Sequence, residues 1–175
     1  KEKLEHMNQI LSDLYVRDSV TGLYNRMGYQ KLSISYFTIM REKKMPVLVM
    51  FIDLDRLKYI NDTFGHEYGD FAIVSIAKAM LKHCDADAIA ARTGGDEFIV
   101  LEGAKDEESG RVLAQKIRTE LSKTQRAMQL PFDLSASIGA VVAHPGEENV
   151  LESYVKRAEM LMYEEKAEKK VSRDS

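Results

Sequence analysis

Apolar residues recur along the chain with two periods, and the switches between them mark out the elements. Leu4, Met7, Leu11 and Leu14 are spaced three, four and three apart, which predicts an amphipathic helix over residues 1–17 with coiled-coil a/d spacing. So short a repeat leaves two readings open, a dimer linker or a helix packed on its own chain. After a turn at Thr21 and Gly22, Asn25 caps a second helix that carries Met27, Leu32, Phe37 and Met40 inward and ends near Lys44, ahead of Pro46. "PVLVMFIDLD" is a nearly continuous apolar run of strand length, the pattern of a central strand covered on both faces, and its end is abruptly acidic. Asp62 to His83 reads as loop and helix, with Phe71, Ile73, Val74, Ile76, Ala77, Met80 and Leu81 at helical spacing.

"AIAARTGGDEFIVLE" reads as a hairpin with Gly94 and Gly95 at its tip, since glycine tolerates the positive φ of tight turns. Asp96 and Glu97 then open the return strand and point to opposite faces. "DEESGRVLAQKIRTELSK" predicts another amphipathic helix, "FDLSASIGAVVAH" a further strand and "VLESYVKRAEMLMYEEKAEKK" a long terminal helix. Strands and helices alternating in this way predict one α/β or α+β sandwich over residues 18–175.

Composition narrows the function classes. With 175 residues and 45% hydrophobic content the chain buries one ordinary core. A net charge of −3 leaves no global basic field, so nucleic acid is not an expected partner and a polyanion must be met locally. One cysteine, Cys84, and four scattered histidines argue against a disulfide framework or structural zinc, and for a reducing compartment. No apolar run approaches the roughly 18 residues of a membrane span, so no membrane contact is expected and a cytoplasmic location is. The start at Lys1 suggests a piece of a larger, conceivably membrane-anchored protein.

The acidic strand end carries the candidate chemistry. Period 2 sends the Asp53 and Asp55 carboxylates to one face, with the Leu54 carbonyl between them. A hard divalent cation would relieve their repulsion, because magnesium takes carboxylate, carbonyl and phosphate oxygens. The plainer alternative makes Asp55 a helix cap and Asp53 a solvated strand end. The hairpin tips the balance, since pairing beside this strand would add Asp96 or Glu97 to an acidic cluster. Lys58, Lys166, Lys169 and Lys170 could neutralise phosphates, or the last three could be a solvated helix face. Asn61 and Asp70 offer an amide and a carboxylate suited to a guanine edge, or a turn residue and a cap; His66 has no partner at ligand spacing and reads as structural.

Assembled, these segments resemble the GGDEF family of diguanylate cyclases. "DSVTGLYNR" is similar to the family's D-x-L-T-G-L-x-N-R opening, with Val20 for leucine; "FIDLDRLKYINDTFGHEYGD" resembles its metal-and-guanine block, "RTGGDEF" its signature, and "SASIGAVV" and "AEMLMYEEK" its closing strand and helix. The resemblance implies a central, mainly antiparallel sheet flanked by helices, like the palm of nucleotidyl cyclases and polymerases, with the signature on a β-hairpin. It implies condensation of two GTP into cyclic di-GMP and two pyrophosphates across a homodimer, under an upstream sensor domain. By the same resemblance Asp53, the Leu54 carbonyl and Asp96 hold magnesium or manganese. Glu97 stands near the metal and the 3′-hydroxyl, Asn61 and Asp70 read guanine, and Gly94 and Gly95 admit the nucleotide. Lys58, Lys166 and Lys170 meet phosphates.

The chain departs from the family in two places. The inhibitory product-binding R-x-x-D, which ends six residues before the first signature glycine, is replaced by Asp85, Ala86, Asp87 and Ala88. In the terminal A-K-x-x-G-R segment, Glu165 and Glu168 stand at the usual alanine and glycine positions and Lys170 at the arginine. Two rivals follow: a silent GTP-binding regulatory domain, and a relaxed cyclase making mixed GMP–AMP dinucleotides, against which Asp70 argues.

Overall fold

A computed structural model describes all residues, 1–175, and places four strands and six helices around one antiparallel sheet. Strand β1 (Val47–Leu54) is buried along its whole length, as its unbroken apolar run predicts. It pairs with β3 (Glu97–Gly103) on one side and β4 (Ala136–Ala143) on the other, while β2 (Ile89–Arg92) extends the sheet beyond β3. The order is therefore β2-β3-β1-β4.

The pleat of β1 divides the core in two. Leu48, Met50, Ile52 and Leu54 join the layer beneath α4 (His66–His83) and α5 (Ser109–Ala127). Val47, Val49 and Phe51 join the layer beneath α2 (Arg26–Glu42) and α6 (Leu151–Asp174), with Phe37, Tyr154, Ala158 and Met162. Each buried Val, Leu, Ile, Phe or Met among them contributes about 1.5–3 kcal/mol by leaving water. Asp53 has the odd parity and so opens onto the α2/α6 layer.

Several helical expectations are adjusted. Asn25 caps α2 by accepting the Gly28 N–H, yet Met27 is exposed and only Phe37 and Met40 of the four named apolar residues are fully buried. Helix α3 (Leu57–Phe64) was not expected; it runs from the end of β1 into the start of the segment read as loop and helix from Asp62, and Gly65 alone separates it from α4. Gly65 has φ of +99°, which only glycine adopts without strain. Phe64 closes that corner against Tyr59, Tyr68 and Phe132. Leu81, expected inward, is 60% exposed. Helix α1 (Glu2–Val16) buries no residue, and Leu4, Met7, Leu11 and Leu14 all face outward.

Helix α6 lies directly on β4. A Cβ added at Gly139 would come within 1.9 Å of the Ala158 carbonyl oxygen and 2.5 Å of the Met162 nitrogen, both backbone atoms of the helix. Gly139→Val therefore lifts α6 from the sheet, with an expected loss of about 1–3 kcal/mol. A fall in the urea midpoint at unchanged m-value reads this directly, and a wild-type midpoint would refute the close packing.

Candidate active site

The acidic end of β1 and the β2–β3 hairpin form one mouth. Asp53 lies opposite Glu97 in the ladder, and the Leu54 N–H donates to the Asp96 carbonyl at 2.9 Å, fixing the hairpin beside the strand end. Carboxylate oxygens of Asp53, Asp96 and Glu97 lie within 4.8 Å of one another. Asp96 precedes the regular strand, so it does not diverge from Glu97 to the opposite face as expected; both acids reach one cluster.

The glycines act by space rather than by φ. Thr93 N–H donates to the Glu97 carbonyl at 3.0 Å, and neither Gly94 nor Gly95 in the intervening turn has a positive φ. A Cβ at Gly94 would approach Glu97 Oε2 to 3.0 Å, whereas Gly95 faces open space. Arg92, a residue the sequence reading missed, fixes the tip. Its guanidinium donates to the Gly95 carbonyl at 2.8 and 3.1 Å and pairs with Asp18 at 3.3 Å. Asp18 also accepts from the backbone and hydroxyl of Thr21. An arginine ahead of the glycines and an aspartate opening "DSVTG" were the available signals.

Charge in the mouth is unbalanced until a cation arrives. Asp53 is only 4% exposed, and burial, together with Asp96 and Glu97 nearby, pushes its carboxyl up to about 6 against the pull of Lys166. Burial and Asp96 likewise raise Glu97. Lys166 Nζ donates to Asp53 Oδ1 at 2.7 Å, the one cation in direct contact with the cluster. Three converging carboxylates, two of them raised despite a lysine in contact, fit a hard divalent cation. The Leu54 side chain is wholly buried, so only its backbone can face the mouth.

Asp55 shares the face of Asp53, as period 2 predicts, but stays outside the cluster and caps no helix. It accepts from Ser135 Oγ, Ser137 Oγ and Lys169 Nζ, each at 2.7 Å. Burial alone would raise its carboxyl, yet these bonds together hold it below the ordinary value. The expected repulsion between Asp53 and Asp55 is thus met by a separate lysine for each.

Asn61 lies within α3 and Asp70 within the first turns of α4, so neither is the turn residue or cap that was the alternative. A Cβ at Gly69 would stand 1.8 Å from Asn61 Oδ1, which puts the carboxamide against α4 at the residue before Asp70. Lys58 is exposed in the first turn of α3, and Lys170 is exposed on α6; neither forms an ion pair.

The family described as "Diguanylate cyclase, GGDEF domain" matches residues 15–172. This chain belongs to the GGDEF family. It is 34% identical to the diguanylate cyclase VdcA of Vibrio cholerae over 85% of this chain and 43% of VdcA, and 31% identical to the diguanylate cyclase DgcP of Escherichia coli over 96% of this chain and 49% of DgcP. The cyclic di-GMP phosphodiesterase NbdA of Pseudomonas aeruginosa is 27% identical over 94% of this chain and 21% of NbdA. The chain spans less than half the length of these relatives. Among solved structures, the coiled coil and GGDEF domain of DgcB from Caulobacter crescentus, in complex with c-di-GMP, shares the fold with a TM-score of 0.78 at 23% identity, covering 95% of this chain and 88% of that one. A microbial GGDEF domain described with bis-(3′,5′)-cyclic di-GMP aligns with a TM-score of 0.75 at 28% identity, over 90% of this chain and 94% of that one.

The departures from the GGDEF pattern have structural consequences. Counted along A-K-x-x-G, the glycine position falls at Lys169, not Glu168. Lys169 and Glu165 use their departure to cover the open edge of β4: Lys169 donates to the Ala136 carbonyl at 2.8 Å, and Glu165 accepts the Ile138 N–H at 2.7 Å. In the window of the inhibitory motif, Asp85 N–H meets buried Glu102 at 3.4 Å. Burial and Asp85 raise the Glu102 carboxyl, and burial with Asp87, Glu102 and Asp85 nearby pushes the Tyr36 hydroxyl up to about 12. That corner is acidic, unsuited to phosphates.

The depressed carboxyl of Asp55 has a signed consequence. Its ionised form stabilises the fold above the ordinary value of 3.8, and this contribution is lost as pH falls through the lower folded value. Asp55→Asn leaves Lys169 with only the longer ionic contact to Glu165 at 3.6 Å, an expected loss of about 1–2 kcal/mol near neutrality, discounted because Lys169 reaches solvent. Denaturation of both proteins across pH should show the gap closing on acidification below about pH 4. A gap independent of pH would assign Asp55 a purely steric role.

Proposed function

We propose that this domain is a diguanylate cyclase that condenses two GTP into cyclic di-GMP and two pyrophosphates across a homodimer. The observation that carries the reading is the converging Asp53, Asp96 and Glu97 carboxylates with Lys166 as their counter-cation. Magnesium, or manganese with the same oxygen preference, would be held by Asp53, Asp96 and the Leu54 carbonyl, and would supply charge neutralisation at the phosphates and activation of the attacking hydroxyl. Asn61 and Asp70 bind guanine. Lys58, Lys166 and Lys170 meet the phosphates as point charges, and Gly94 and Gly95 admit the nucleotide.

Each 3′-oxygen bonds to the α-phosphorus of the GTP on the facing protomer, the bond from that phosphorus to the bridging oxygen breaks, and pyrophosphate leaves. Glu97, held above the ordinary carboxyl value, suits acceptance of the hydroxyl proton. Holding two GTP molecules face to face replaces a bimolecular encounter by a positioned one, so assembly controls the rate. The outward Leu4, Met7, Leu11 and Leu14 of α1 support such assembly through a paired helix that passes on the state of an upstream sensor. No helix is long and apolar enough to cross a membrane. GTP as substrate supports a cytoplasmic location for the reaction.

The test is incubation with GTP and magnesium, with products identified by mass spectrometry. Cyclic di-GMP is expected, and Asp96→Ala should reduce its formation by about three orders of magnitude. GTP binding without product, even after a stable coiled coil is fused ahead of Lys1, would replace this reading by a silent GTP-binding regulatory domain. A mixed dinucleotide from GTP and ATP would instead indicate relaxed base selection.

A second expectation concerns feedback. With Asp85 and Ala88 in place of the arginine and aspartate, added cyclic di-GMP should not slow the reaction through this window. Inhibition in progress curves that Asp85→Ala alters would contradict it.

A further inference from the structure

We propose that Gly69 is a positioning residue for base selection, acting only by holding the Asn61 carboxamide beside Asp70; this rests on the reading that those two side chains bind guanine. Asn61 is half-buried, yet its carboxamide forms no hydrogen bond within the chain, and neither does the Asp70 carboxylate. Shape must therefore fix its direction. A Cβ at position 69 would stand 1.8 Å from Asn61 Oδ1, 2.8 Å from its Cγ and 3.3 Å from Leu57 Cδ1. The gap on α4 that glycine leaves is the surface on which the amide lies.

The corner around it is rigid. Gly65 joins α3 to α4 without further residues, accepting the Gly69 N–H at 3.3 Å and donating to the Asn61 carbonyl at 3.0 Å. Phe64 is wedged against Tyr68 and Phe132 with ring centroids 6.2 and 5.4 Å away. The helices thus cannot part easily to admit a methyl group. What yields is the free end of Asn61, whose χ angles turn at little cost to the fold. Alanine is also the better helix former, so stability is not the quantity at risk. A buried glycine inside a helix that otherwise gains nothing from it is accounted for by the neighbour it accommodates.

The test is a double-mutant cycle in the full chain, reading equilibrium binding of GTP and of ATP by calorimetry in an Asp96→Ala background that prevents turnover. Asn61→Ala and Gly69→Ala should each weaken GTP by about tenfold, the worth of one lost hydrogen bond to the base, and leave ATP unchanged. The double variant should be no weaker than either single one, because Gly69 acts through Asn61. Additive losses, or Gly69→Ala binding GTP like the parent, would overturn the proposal. If Asn61→Ala itself leaves GTP unchanged, the guanine reading fails instead, and the proposal with it. If Gly69→Ala fails to fold, with or without Asn61→Ala, the position serves the fold rather than base selection and the inference is wrong.

Discussion

Everything around the mouth depends on one buried ion pair, Asp53 with Lys166. A carboxylate that is almost fully enclosed at the end of a central strand is unfavourable unless a cation stands against it. The strand supplies the acid and the last turns of α6 supply the base, so the pair ties the ladder to a helix more than a hundred residues later, a separation of 113. It also sets the charge state of the site. Asp96 and Glu97 add negative charge that one lysine does not balance, and burial together with this surplus raises the carboxyls of Asp53 and Glu97.

Helix α6 can deliver Lys166 because three contacts fix its course. Gly139 lets the helix backbone descend onto β4 near Ala158 and Met162. Farther along, Glu165 and Lys169 bind the outward-facing backbone groups of β4 that an edge strand leaves open. Lys169 then anchors Asp55, whose two serine donors come from the strand end that the same helix covers. Family departures at two positions have become the ties that hold the helix. On the hairpin side, Arg92 has the corresponding role, joining the Gly95 carbonyl to Asp18 at the entrance from α1. The end of helix α1 and the hairpin tip are thereby connected through a single side chain.

Much of this was legible along the chain. The unbroken apolar run gave β1 its central place, the Gly-Gly between β-forming segments gave the hairpin, and parity placed Asp53 and Asp55 on one face. Motif order pointed to the acids of the mouth. Helix α3 was not legible, because "LKYINDTF" is short and rich in residues that favour turns; it forms by packing Ile60 and Phe64 against neighbours. Met27 and Leu81 lie on correctly predicted helices but outside the buried stripe, since periodicity identifies a helix more surely than the limits of its covered face.

The sequence by itself determined the alternation of elements, the family and the residue types at the mouth, because these depend on local periodicity and on ordered motifs. Only the tertiary structure decided which charges are partnered. Asp55 accepts from serines 80 and 82 residues away and is neutralised by Lys169, 114 residues away, Asp96 turns toward Glu97 rather than away from it, and Gly69 accommodates a side chain on another helix. Pair energies fall steeply with distance and dielectric, and both are set by how the layers close on one another, not by position along the chain.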